Sequence, residues 1–264
     1  MKSLVAYRAL VADKSRIEWT DATWNPTTGC TKVSAGCKNC YAEKLALRLQ
    51  RMGSHNYRNG FRLTLHPHML PLPLHWKAPR RIFVNSMSDL FHPDVPDDYL
   101  DQVFEVMEQA DWHVFQILTK RPERMAGYTS RRYAAPNPPP THLWFGTSVE
   151  DERVIHRLDA LRAVPAATRF LSCEPLIGPL HELDLSGVAW VIVGGESGRR
   201  RRPIDPAWVR DIRRQCRSAR VAFFFKQWGG AVSKSGGRTL DGRTYNELPG
   251  RIARRSVKRV LATA

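Results

Sequence analysis

Residues 24–49 read WNPTTGCTKVSAGCKNCYAEKLALRL, and Cys30, Cys37 and Cys40 stand in this run with the spacing C-x6-C-x2-C. Around them lie Thr27, Thr28, Gly29, Ser34, Ala35 and Gly36, which let a backbone wrap closely around whatever the sulfurs hold. Ala42, Leu45, Ala46 and Leu49 follow at i, i+3, i+4 and i+7. This spacing predicts an amphipathic helix that begins where the last cysteine ends. The chain has five cysteines in 264 residues, and three of them crowd into this loop, which argues for joint use.

An iron–sulfur cluster is the first reading. Such clusters are held by thiolates, and three thiolates on a four-iron cluster leave one iron open for a substrate or cofactor. A structural zinc ion, with His55 or Cys173 as fourth ligand, is the second. Three unrelated buried cysteines is the third. An odd cysteine count in a chain of this length disfavours a disulfide framework.

A hydrophobic fraction of 42% excludes wholesale disorder, and 264 residues can bury a substantial core. No run approaches the roughly 18 apolar residues of a membrane span. The first residues, MKSLVAYRALVADKSR, are too broken by charge for a signal peptide, so a cytoplasmic protein is expected. Lys and Arg number 41 against 25 acids, a net charge of +16, which favours a polyanionic partner such as DNA or RNA. The excess is concentrated. Nine arginines lie between Arg199 and Arg220 against Asp205 and Asp211 alone, and the stretch from Arg251 to Ala264 has five basic residues and no acid. Arg199, Arg200, Arg201 and Arg202 are the candidate nucleic-acid contacts, since arginine suits bidentate phosphate recognition.

Apolar strands alternate with helices along the chain. The strands expected are Arg16–Thr20, Arg81–Asn85, His113–Leu118, Leu143–Val149, Thr168–Cys173, Val188–Val193 and Val221–Phe225. Helices are expected from Asp98, over Asp151–Val164, and after the Asp205-Pro206 cap. Residues 53–79 and 134–141 read as connections. The pattern predicts an α/β fold, a partial or complete (β/α) barrel of six to seven parallel strands. The barrel domain is expected over residues 1–230, with the cluster loop at 24–41. Residues 231–264 read as a Gly-rich, then basic, partly mobile extension. Sites in such barrels lie at the C-terminal strand ends. There the sequence places Ser86, Ser88 and Asp89; Lys120 and Arg121; Ser148 and Glu150; Glu174; Glu196 and Ser197; and Lys226 and Gln227. Cys216 reads as core, and His66 and His68 as a loop pair.

The series WNPTTGC-x6-C-x2-CYAE, SMSDLF, LTKRP, GTSVE, LSCEPLIGPL, WVIVGGESG and FFKQWG resembles a phage-associated three-cysteine-motif family that carries a domain-of-unknown-function label. The resemblance covers roughly Ile17 to Gly230. That family is in turn similar, more distantly, to radical S-adenosylmethionine (SAM) enzymes. Their three-cysteine [4Fe-4S] cluster binds SAM at its open iron and cleaves it, with one electron, to a 5′-deoxyadenosyl radical. The present chain departs from the usual C-x3-C-x2-C spacing. Asn39 stands where an aromatic residue usually precedes the third cysteine, and Gly194-Gly195-Glu196 comes at the sixth strand rather than the second.

The resemblance implies that Cys30, Cys37 and Cys40 bind the cluster. Ser86, Ser88 or Asp89 would hold the SAM amino group, and Ser148 or Glu150 its ribose. Gly194 and Gly195 would let adenine approach the backbone. Lys120, Glu174, Glu196 and Lys226 remain for the SAM carboxylate, the substrate or proton transfer, and Cys173 for hydrogen-atom donation. An electron donor such as flavodoxin or ferredoxin is also implied. The function expected is radical-SAM-like modification or repair of DNA, or modification of RNA. The alternative is a non-catalytic nucleic-acid-binding module, stabilised by a cluster or zinc, that works with a partner protein encoded nearby.

Overall fold

The computed structural model describes residues 15–250. Within them, short apolar runs form the strands β1 (Ala22–Trp24), β4 (Arg81–Val84), β5 (Val114–Thr119), β6 (Leu143–Ser148), β7 (Thr168–Cys173), β8 (Trp190–Gly194) and β9 (Ala222–Gln227). A two-stranded ribbon, β2 (Thr27–Thr28) with β3 (Thr64–Leu65), stands apart. The helices are α1 (Tyr41–Arg51), the single turn α2 (Leu72–His75), α3 (Asp97–Gln109), α4 (Pro122–Arg132), α5 (Arg157–Ala163) and α6 (Pro206–Ala219).

The seven main strands pair in the order β1-β4-β5-β6-β7-β8-β9, every pair parallel. Each strand is therefore laid beside the one before it in that series, as in a barrel, but β1 and β9 do not close on each other. The fold is an open half-barrel of the α/β class, as the alternating pattern predicts. No helix among the described residues is long and apolar enough to cross a membrane.

Strand residues alternate between two cores. Ile82, Phe115, Phe145, Leu171, Val191 and Phe223 face the helices, against Phe104 of α3, Leu161 of α5 and Ile212 of α6. Phe83, Trp144, Phe170, Trp190, Ile192 and Phe224 form the second cluster, inside the curve of the sheet. Gly146 makes room there: a Cβ on it would stand 2.5 Å from the Phe170 ring. Gly146→Ala is expected to cost about 1–3 kcal/mol by overpacking, read as a lowered denaturation midpoint with an unchanged slope.

The structure differs from the sequence reading in three places. Arg16–Thr20 is a turn, and the first strand starts at Ala22. The reason is Trp19, which leaves the chain to fill the interior against Phe83 and Trp190, at ring distances of 4.7 and 6.1 Å. The Asp151–Val164 helix is broken into a turn, Glu152–Val154, and α5, because the Asp151 carboxylate accepts from the Arg153 amide and caps the turn. In α1, Ala42 and Ala46 are buried against Met87, whereas Leu45 is 40% exposed. Residues 231–250, the described part of the Gly-rich extension, pack on the barrel. Leu240 is fully buried, Trp228 donates its indole N–H to the Thr239 carbonyl, and the Phe225 amide donates to the Tyr245 carbonyl. This stretch covers the otherwise open edge of β9. The basic stretch Arg251–Arg259 lies outside the described residues.

Candidate functional site

The cysteine loop lies over the C-terminal ends of the strands. Its start is pinned at β4: Gly29 pairs with Ser88 in an isolated bridge, and the Thr27 and Ser88 hydroxyls are 2.7 Å apart. Gly29 has φ +82°, and a Cβ there would meet the Arg62 carbonyl at 2.2 Å, so only glycine fits this turn. Cys30, Cys37 and Cys40 are all free and half-buried. Cys40 also caps α1.

Three acidic side chains, each from a strand end, fix the loop. After β4, Asp89 accepts from the Thr119 hydroxyl at 2.6 Å, the Lys120 amide at 3.2 Å and the Arg121 guanidinium at 2.8 Å. Arg121 in turn places Nη1 3.6 Å from the Cys30 sulfur and donates to the Thr31 carbonyl and hydroxyl. Burial, then the Asp89 charge, pushes the Cys30 thiol up to about 11, with Arg121 opposing. After β6, Glu150 accepts from the Ser34 hydroxyl at 2.8 Å and from Arg157 at 3.0 Å, with the Lys120 ammonium at 3.5 Å. A Cβ on Gly36 would collide with this carboxylate at 2.4 Å.

After β8, Glu196 accepts from the Asn39 amide at 2.9 Å, from the Arg202 backbone amide at 2.8 Å and from the Arg202 guanidinium. Burial works to raise its carboxyl, but the bonds from Arg202 and Asn39 outweigh it and hold it below the usual range. Arg202 also donates to the Ala35 carbonyl, 2.9 Å away, in the cysteine loop. After β7, Glu174 pairs with Lys226 of β9 at 2.8 Å.

Most of the strand-end residues singled out in the sequence are thus brought together at one mouth, but many serve the protein itself. Ser88, Asp89, Glu150 and Glu196 hold the loop. Gly194 leaves space that the Glu174 carboxylate fills, and Gly195 leaves space filled by the Trp228 carbonyl, with virtual Cβ contacts of 2.7 and 2.3 Å. Ser148 is buried, and its carbonyl accepts from Arg157 at 2.9 Å. Cys173 is fully buried on the helix-facing side of β7, in the main core with Cys216. Ser86, Lys120, Glu174 and Lys226 keep partial exposure at the mouth. Of the four arginines, Arg202 turns inward, while Arg199, Arg200 and Arg201 are exposed.

Sequence reasoning missed Ser34, Asn39 and Arg157 as supports of the loop. Asn39 was visible only as a departure at an aromatic position. Arg157 looked like an ordinary helix arginine, and only the fold shows it 4% exposed against Glu150. Among the described residues no three His, Cys, Asp or Glu side chains close on a point as one metal ion requires. His55, offered as a zinc ligand, packs edge-on to His68 at 6.0 Å.

Residues 14–249 match the model of a family described as "Protein of unknown function (DUF5131)", which bears out the resemblance read from the motifs. No curated protein matches the chain. Solved structures similar to it include spore photoproduct lyase complexed with dinucleoside spore photoproduct, at 16% identity and TM-score 0.48 over 77% of this chain and 62% of that one. A double mutant of that lyase with bound AdoMet and dinucleoside spore photoproduct matches at 16% identity and TM-score 0.44, over 74% and 61%. The chain spans about three fifths of the length of these structures.

Proposed function

We propose, for a chain that belongs to this family of unknown function, a radical-SAM-like enzyme that acts on nucleic acid. The observation that carries the reading is the three-thiol loop laid over the C-terminal mouth of an open parallel half-barrel and tied there by Asp89, Glu150 and Glu196. Free, half-buried thiols are the soft donors a [4Fe-4S] cluster takes, and Cys30, Cys37 and Cys40 would hold it.

The cluster with SAM would supply one-electron reductive cleavage of a sulfonium C–S bond. The chain's own residues do the rest. Asp89 holds Arg121 in place, and the Arg121 guanidinium at the Cys30 sulfur works against the burial that raises this thiol. Ser86, Lys120, Glu174 and Lys226 are the groups left to meet SAM and substrate. The Glu174–Lys226 pair presents both a carboxylate and an ammonium at the mouth, suited to orienting a zwitterionic amino acid group. The net charge of +16 favours a polyanionic substrate.

Anaerobically reconstituted, reduced protein is expected to convert SAM to 5′-deoxyadenosine, slowly even without substrate, as read by chromatography. Glu174→Gln is expected to weaken SAM binding without loss of iron. Cluster-loaded protein that binds no SAM by calorimetry would instead support the non-catalytic, cluster-stabilised module.

A further inference from the structure

Helix α1 carries a face that its own packing leaves open. Tyr41, Lys44, Leu45 and Arg48, at i, i+3, i+4 and i+7, are all exposed, Tyr41 by 56%. The Tyr41 hydroxyl donates to the Ser86 carbonyl beyond β4, so the ring is fixed at the mouth instead of swinging free. The arginine segment lies beside the start of this helix. Asn39 donates to the Arg200 carbonyl at 2.8 Å, and the Lys44 Nζ is 3.5 Å from where a Cβ on Gly198 would stand. Asn39 and Arg202, meeting on Glu196, staple the two segments together.

Lys44, Arg48, Arg199, Arg200 and Arg201 have no acidic partner among the described residues. Five uncompensated cations thus flank an exposed, oriented aromatic ring. Cations track a phosphate backbone, and an accessible ring offers a stacking surface that bases closed inside a duplex cannot reach.

We propose that this face binds an unpaired nucleic-acid strand, with phosphates on Lys44, Arg48 and Arg199–Arg201 and a base stacked on Tyr41. The inference rests on the nucleic-acid reading above and deepens it: the substrate would be met as a single strand or an extruded nucleotide.

The test is fluorescence anisotropy of the cluster-loaded full chain with labelled single-stranded DNA, single-stranded RNA and a blunt duplex, across a salt series. Single strands are expected to bind more tightly than the duplex. Tyr41→Leu, which keeps bulk but loses the aromatic face, is expected to weaken single-strand binding at least about fivefold, whereas Tyr41→Phe keeps wild-type affinity. Replacing Arg199, Arg200 and Arg201 with Gln is expected to flatten the salt slope by about two, at about 0.7 per phosphate on a single strand. Duplex preference, or unchanged affinity in Tyr41→Leu, would overturn the proposal and leave the enzyme reading intact. No binding to any nucleic acid would overturn the proposal and the substrate class together, while the SAM assay would still stand or fall independently.

Discussion

Changing Cys30, Cys37 or Cys40 singly to Ala is expected to abolish the brown colour of anaerobically purified protein and its about four iron and four sulfide per chain. Cys173→Ala and Cys216→Ala are expected to retain both. The contrast follows from where the sulfurs lie. The first three are half-buried on a loop at the mouth, and Arg121 reaches the Cys30 sulfur. The other two are fully buried in the helix-facing core. Burial pushes the Cys216 thiol up to about 12 and raises that of Cys173 as well, in keeping with sulfurs enclosed by apolar side chains. Iron and sulfide analysis with the visible spectrum reads the outcome. Stoichiometric zinc and no iron, after iron-supplemented anaerobic expression, would sink the cluster assignment.

Arg157→Ala carries the second large effect. Arg157 and Glu150 form an ion pair at 3.0 Å whose side chains are only 5% and 1% exposed. Removing one partner leaves a buried carboxylate with the Ser34 hydroxyl at 2.8 Å and, as its one charged contact, Lys120 at the longer distance of 3.5 Å. Such a loss typically costs about 3–5 kcal/mol. For a chain of this size that is a Tm lowered by about 6–20 °C, at roughly 2–4 °C per kcal/mol. Because Ser34 donates to the same carboxylate, the loop should also loosen, and iron should leave faster on chelator challenge. A double variant, Glu150→Gln with Arg157→Met, removes both charges and should recover much of the Tm but not the slow iron release. A shift below about 2 °C for Arg157→Ala would mean that water reaches the pair.

Arg202 changes how the basic surface can be probed. Replacing Arg199–Arg202 together would remove the Glu196 clamp and the bond to the Ala35 carbonyl along with the three exposed cations. A weakened complex would then not separate lost phosphate contacts from a displaced cluster loop, so only the outer three arginines test phosphate binding cleanly.

The local code was legible in the chain. Alternating apolar runs and helix stripes give the half-barrel, because strands buried on both faces must be nearly continuously apolar. Six of its seven strands stand close to where those runs lie, and Thr168–Cys173 is bounded identically. The seventh moved because Trp19, in a stretch that looks like a strand, is worth more as a plug inside the sheet. The three cysteines and the polar strand ends were legible for the same reason: spacing and position along each strand are sequence properties. What those polar groups face was not. Asp89, Glu150 and Glu196 read as ligands-in-waiting, and only the folded chain brings Arg121, Arg157, Asn39 and Arg202 against them from up to 157 residues away. An ion pair buried under a loop depends on the distance between two elements, which no periodicity in one element encodes. The sequence by itself therefore determined the elements and the chemistry on offer, and the tertiary structure decided which groups are spent on holding the mouth and which stay free to act.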